Sequence, residues 1–449
     1  MTDLQKLATT LIERARALGA TAAEVYLREG VETEVTIRDG VVDQLSTGQP
    51  RSLGLRVWRG PHSASTWGTN FSEETIETLL QDALELAELS DPMPDNRLAP
   101  QALLATEFPD YESHDPRVET LTMDERIAFA RAVEASAMGA DERLSVSGGA
   151  SWSDGVSRQV LATSEGFVGE SRDSWASVGV EVIADDEGHR KRNGSWYSVA
   201  RFLEDLPTPQ AIGELAAARA VRQLGAGPIP TATMPVVFDP FMAASLFSAL
   251  FGAMTGGAVE RGASYLIGKE GQAIASELIT LIDDPTLRRG LGSTPFDGEG
   301  LPTKPTTFIE RGVLRGFAIN VYNAAKLGLQ PTGHASRPTS GAPGETSTNL
   351  YVAAGETSVE AMIAGVEYGF LCQSMMGFGF NPATGDFSRG ATGILIENGK
   401  LTRPVSEITL SGNYGEMLKN IDAVGNDLRF ERSTNSPSIR ISSMTVAGV

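Results

Sequence analysis

Residues 385–428 read GDFSRGATGILIENGKLTRPVSEITLSGNYGEMLKNIDAVGNDL. Near the middle, Asn398-Gly399 separates two apolar-rich runs, GILIE and KLTRPV. A type I′ turn needs positive φ at both central residues, and an Asn-Gly pair tolerates this. The stretch therefore predicts a β-hairpin. The segments around it are likewise short, β-rich and broken by glycine. One longer apolar run interrupts them: residues 240–259 carry no charge. That length would span a bilayer. Its Ala, Gly and Ser content argues otherwise, as does its opening, Asp239-Pro240, a cap followed by proline at the first helical position. The reading is a helix buried in protein.

Further toward the N-terminus, residues 225–235 (GAGPIPTATMP) read as a linker. A short strand is expected directly after it, over 235–238. Leu4, Leu7, Ala8, Leu11, Ile12, Ala15 and Leu18 repeat at helical spacing, with Gly19 as a stop. Val31, Thr33, Val35 and Ile37 alternate with polar residues, which predicts a half-buried strand ending in an Asp39-Gly40 hairpin. Ser72 caps a second helix that buries Ile76, Leu79, Leu80, Ala83 and Ala87. Thr122 and Glu125 have capping-box spacing for a third. Residues 91–118 read as a long surface connection, 143–200 as β-hairpins and 208–223 as a closing helix. The expected fold class is α+β. A mixed α/β-sheet domain spans 1–224, a linker spans 225–235, and a β-rich domain holding the buried apolar helix spans 236–449.

Composition narrows the function. The formal net charge is −20, so the surface repels a phosphate backbone and nucleic acid is not an expected partner. The only short basic group is Arg190-Lys191-Arg192. Cys372 is the single cysteine; it rules out an internal disulfide and fits a reducing, cytoplasmic setting. No signal peptide is expected, because charged residues run through the first eighteen positions where one needs an apolar core, and with residues 240–259 read as buried in protein no membrane association is expected.

A search for chemistry finds no recognisable catalytic group. His62, His114, His189 and His334 are widely spaced, and no HExxH occurs. Asp283-Asp284-Pro285, Asp297 and Glu299 resemble an oxygen-rich cation cluster, but they lack EF-hand spacing and read as turn formers. GASWS at 149–153 lacks the final glycine of a nucleophile elbow. GFGFNP, from Gly377, has proline where a dinucleotide loop needs glycine. Cys372 follows an apolar run and reads as a core residue.

The chain does resemble the TldD/TldE (PmbA) family, in particular its TldE/PmbA branch. The resemblance rests on GQAIASELITLIDDP (271–285), AAKLGLQPTGHASR (324–337), NLYVAAGETSVEAMI (349–363) and above all residues 385–428. Near the N-terminus, AAEVYLREG and the Asp-Gly hairpin add to it. The resemblance implies a subunit of a zinc-dependent protease acting on unfolded or extended peptides. In the TldD-type subunit an HExxxH helix and a cysteine near the C-terminus hold the metal. Carried onto this chain, the two histidines and the glutamate fall on Ser248, Ala253 and Ala249, and no cysteine follows Leu428. The resemblance therefore implies no metal and no catalytic residue in this chain, with zinc held by a TldD-type partner. The family's description as a modulator of DNA gyrase would then be an indirect effect.

Three readings follow from this. The first is a non-catalytic TldE/PmbA-type subunit paired with a TldD-like chain. The second is an independent metalloprotease with non-standard ligands, such as His334 and the acids between Asp283 and Glu299. The third is a homodimeric peptide-binding protein. Tyr322, Asn323 and Arg389 lie in or beside the family-like segments and are the candidates for lining a cavity.

Overall fold

The computed structural model describes residues 3–377 and 379–449; Met1, Thr2 and Phe378, inside GFGFNP, lie outside these. The N-terminal half starts with α1 (Leu4–Ala17), then β1 (Ala22–Arg38), β2 (Val41–Gly48), β3 (Arg51–Arg59) and β4 (His62–Gly68). It continues through α2 (Glu73–Leu89), α3 (Pro116–Thr120), α4 (Met123–Gly139), β5 (Leu144–Thr163), β6 (Val168–Asp185), β7 (Lys191–Ala200) and α5 (Pro209–Val221). The strands form a seven-stranded antiparallel sheet in the order β4-β3-β1-β5-β6-β7. One edge of β1 pairs with β3 over its first half and with β2 over its second, while β5 runs along its other edge.

The local signals act as expected. Asp39 and Gly40 have φ of 51° and 74° and turn β1 into β2. Asp3, Ser72 and Thr122 each accept a backbone N–H at a helix start, and Glu125 completes a reciprocal capping box. Replacing such a cap with alanine typically costs about 1 kcal/mol. Leu4, Leu11 and Leu80 pack on Val25 and Leu55, while Val133 and Ile212 pack on Val35 and Val178. The helices thus cover one face of the sheet. On the opposite face, Leu161 and Phe167 pack against Phe296 of the C-terminal half.

The C-terminal half contains β8 (Ala232–Phe238), α6 (Pro240–Ala253), α7 (Gly256–Glu260), β9 (Leu281–Asp283), β10 (Thr306–Glu310), β11 (Val313–Leu314) and α8 (Val321–Leu327). Next come β12 (Ala335–Ser336), β13 (Gly344–Glu345), β14 (Leu350–Val352), β15 (Tyr368–Met376), β16 (Asp386–Glu397), β17 (Lys400–Asn413), β18 (Ile421–Val424), β19 (Thr434–Asn435) and β20 (Ile439–Ala447). Strands β17-β16-β15-β8-β20 run side by side, and a further β17–β20 pairing closes them into a barrel with β18 on its rim. Asn398 and Gly399, at φ 51° and 72°, form the predicted turn between β16 and β17. A second sheet, β11-β10-β9-β14-β19, lies beside the barrel.

The apolar helix is α6. Asp239 caps it by accepting from Met242 N at 2.9 Å. Leu246, Phe247, Leu250 and Phe251 are buried in the largest core cluster of the protein. Tyr414 Oη donates to Leu246 O at 3.2 Å. Fully burying one such side chain contributes about 1.5–3 kcal/mol. Among the described residues, no helix is long and apolar enough to cross a membrane.

Four details differ from the sequence expectation. The uncharged run is two helices, because Thr255 caps α7 by accepting from Ala258 N. Strand β8 starts at Ala232 rather than Pro235; the proline has no N–H and sits where the register with β20 shifts. The 91–118 connection is a strap across both halves, with Leu98, Ala99 and Ala105 buried. Ala105 N donates to Gly300 O, and Arg289 N to Tyr111 O, each at 2.8 Å. Leu18 and Val31 are exposed despite their apolar periodicity.

Phe247→Ala is expected to destabilise the chain by about 3–5 kcal/mol through the cavity it leaves. Exposed Ser248→Ala, one residue on, is expected to change stability by less than about 0.5 kcal/mol. Urea unfolding midpoints of the two variants check this contrast.

Candidate functional site

α6 emerges from the core at its N-terminal half, beside β7 and the segment 427–436. A cleft of about 370 Å³ opens there, with Trp196, Ile212, Phe241, Asp427 and Arg432 in its walls. The Trp196 and Phe241 rings meet edge to face at 4.5 Å. Arg219 stacks on Trp196, 4.6 Å from its ring centre, and reaches Asp239 at 3.4 Å. Burial pushes the Asp239 carboxyl up to about 6, against the opposing effects of its Met242 N–H bond and of Arg219. Arg432 lies 3.5 Å from the Tyr197 ring centre and 4.4 Å from that of Phe241. Burial lowers its guanidinium pKa to about 10.

Of the three degenerate motif positions only Ser248 reaches this region, lining an adjoining pocket with Trp196, Tyr197, Phe241 and Arg432. Ser248 is exposed on the outer side of α6, Ala249 is half-buried, and Ala253 is fully buried in the core. Cys372 is also buried; its thiol is pushed well above its ordinary value by desolvation.

A second cavity of about 330 Å³ lies between the two halves, where Tyr26 and Asp173 face Asp297, His334 and Arg337. Here the fold brings His334 together with the acids singled out in the sequence. His334 Nε2 lies 3.3 Å from Asp283 Oδ2. Asp283 also accepts from Thr348 N at 2.8 Å and from Thr348 Oγ1 at 2.7 Å. Asp297 accepts from the N–H groups of Glu299, Leu301 and Ala335 at 2.9–3.0 Å. Glu299 accepts from Val321 N at 2.8 Å. Asp284 stands apart and holds the 284–286 turn through Thr286. These carboxylates are committed to backbone and hydroxyl donors. Among the described residues, no group of three or more His, Cys, Asp or Glu side chains is placed to hold a metal ion.

The cavity candidates lie away from both clefts. Asn323 is buried and donates to Glu345 Oε1 at 2.5 Å. Tyr322 is half-buried, with Lys326 Nζ 5.7 Å from its ring centre. Arg389 Nη2 reaches Met375 O at 3.5 Å. Sequence reading missed Trp196, Phe241 and Arg432. They come from three distant segments, and the stretch after Leu428 drew notice only for lacking cysteine.

Comparison with known proteins places this architecture. Residues 23–87, 116–224 and 231–448 match domain 1, the central domain and the C-terminal domain of the PmbA/TldA metallopeptidases. The metalloprotease PmbA of Escherichia coli O157:H7 is 32% identical over 445 residues, covering 99% of this chain and 96% of its own. The chain belongs to the PmbA/TldD metallopeptidase family. A TldD homologue from Haemophilus influenzae is 25% identical, covering 95% of this chain and 92% of its own. A crystal structure from Bacteroides thetaiotaomicron, described as a candidate modulator of DNA gyrase, superposes with a TM-score of 0.93 at 31% identity over 100% of both chains. TldE of Thermococcus kodakarensis shares the fold, with a TM-score of 0.88 at 22% identity over 98% and 99% of the two chains. At the places where the resemblance puts the family's zinc motif, this PmbA/TldD-family chain offers a hydroxyl and two methyl groups. Those side chains do not fit a zinc ion, which takes imidazole, thiolate or carboxylate donors.

Glu299 yields a pH test. Burial, then repulsion from Asp297, raises its carboxyl to about 8. The folded state therefore holds a proton that the unfolded chain releases near the ordinary glutamate value. This contribution is complete below about pH 4.5 and is lost as pH rises through about 8. Glu299→Gln keeps an acceptor for Val321 N–H and is expected to flatten the fall in thermal midpoint across that window. Parallel midpoint curves for variant and parent would contradict the shift.

Proposed function

We propose that this chain is a TldE/PmbA-type subunit without hydrolytic chemistry of its own, acting in the cytoplasm beside a TldD-type partner that supplies zinc. The substrate class is unfolded or extended peptide. The reading rests chiefly on α6: Ser248, Ala249 and Ala253 occupy the expected ligand and base positions, and none can bind a metal or accept a proton from water. The acids around His334 do not support the independent-metalloprotease reading, since each is already engaged by backbone or hydroxyl donors.

The expected outcome is that the purified chain leaves a dye-quenched extended peptide intact. Cleavage should appear when a TldD-type chain is added and vanish with a chelator. Metal-dependent turnover by this chain alone would refute the reading.

One observation favours a second reading, a peptide-binding homodimer. Strand β2 pairs only with β1, every residue of it is exposed, and Val41 and Leu45 are 64% and 47% accessible. Such an edge can accept an added strand. A native mass near twice 47.6 kDa, together with peptide binding without cleavage in any mixture, would favour it.

A further inference from the structure

We propose that Arg432, with the rings that hold it, is a carboxylate-recognition site for an extended peptide in the cleft between β7 and the first turns of α6. This rests on the peptide-directed reading above and adds a chemical group to it.

Arg432 has a fixed base. Asn435 Oδ1 accepts from Glu431 N at 3.0 Å and from Arg432 N at 3.1 Å, and Asn435 Nδ2 donates to Arg432 O at 2.6 Å. Tyr197 and Phe241 then hold the guanidinium through their ring faces. Ring faces attract a cation without using its N–H donors. The Nε of Arg432 is buried and has no hydrogen-bond partner, and no carboxylate among the described residues pairs with the group. Arg389 shares this state, with its Nε also buried and unpartnered and its Nη2 reaching only the Met375 carbonyl, but four other arginines differ. Arg126, Arg192, Arg201 and Arg337 are buried or nearly so, and each pairs with a carboxylate: Asp154, Asp186, Asp173 and Glu24. With 57 acidic residues against 37 basic ones, an unpaired arginine in a cleft is not explained by a shortage of acids.

The nearby acids are engaged elsewhere. Asp427 accepts from Ser438 N and Oγ at 2.9 and 2.7 Å. Asp239 caps α6 and faces Arg219. Glu431 faces Arg429 at 4.0 Å. The open partner is therefore external and anionic. A planar guanidinium fork matches a carboxylate through two parallel bonds. Trp196, Ile212 and Leu215 give the same cleft an apolar wall for the residue bearing that group. The net charge of −20 disfavours a polyphosphate.

The test uses the chain alone and dye-labelled octapeptides of alternating Ser and Val. One has a free C-terminal carboxylate, one a C-terminal amide, and one the amide with a single internal Asp. At least one carboxylate form is expected to bind about tenfold tighter than the neutral amide, the scale of a charge-assisted pair. Which form it is tells whether a chain terminus or an acidic side chain is the source. Arg432→Gln should abolish the preference and Arg432→Lys keep part of it, with circular dichroism unchanged. Acetate, but not acetamide, should compete for the parent chain, a readout that needs no variant. Equal affinity for all three peptides, no binding, or a preference retained in Arg432→Gln would overturn the proposal. Because turnover is not measured, the binding result stands or falls separately from the partner-dependent cleavage assay.

Discussion

Helix α6 has no charged side chain from Pro240 to Ala253, and it carries Leu246, Phe247, Leu250 and Phe251 around most of its circumference. Water is a poor neighbour for such a helix, so the surrounding elements exist in an arrangement that covers it. Strand β8 delivers it beside the barrel, the β9–β14 sheet closes another side, and Tyr414 ties its backbone to the end of β17. Only a narrow strip bearing Ser248 and Gly252 reaches the surface. The scaffold is thus retained around a helix whose exposed strip carries nothing reactive. This is physically reasonable, because burial, not the identity of residue 248, stabilises the helix.

The second organising contact is electrostatic. Glu24 on β1 meets Arg337 of the C-terminal half at 2.8 Å, and Arg56 on β3 lies 3.9 Å from the same carboxylate. Ser52 and Thr339 share a hydroxyl bond at 2.9 Å. At Gly54 an added Cβ would lie 2.4 Å from the Thr339 carbonyl, so the absent side chain is what lets the two halves close. Buried ion pairs add little net stability against apolar replacements, yet a misplaced one is costly. Their effect here is to favour one docking of the sheet on the barrel half.

Much of this was legible in the sequence where the cause is local. The helix caps, both hairpin turns and the burial of α6 follow from residues within a few positions of one another. The strap was misread because its few buried residues, Leu98, Ala99 and Ala105, show no period, and its partners come from residues some two hundred positions later. The meeting of His334 with Asp283 could be suspected as chemistry but not read as geometry. The Trp196–Phe241–Arg432 stack gave no sequence signal at all, since β7, α6 and the loop between β18 and β19 each contribute one part.

Barrel closure also sets an order of events during synthesis. In the N-terminal sheet, β3 pairs with β4, β5 with β6 and β6 with β7, so much of it can assemble from neighbours as they leave the ribosome. Strand β8 instead waits for β20, whose Ile439 to Val446 are the partners of Phe238 to Ala232. Until those last residues emerge, α6 lacks part of its cover. A nascent chain stalled before residue 439 would therefore expose an oily helix next to an already finished sheet, the kind of surface that chaperones bind and that drives misassembly.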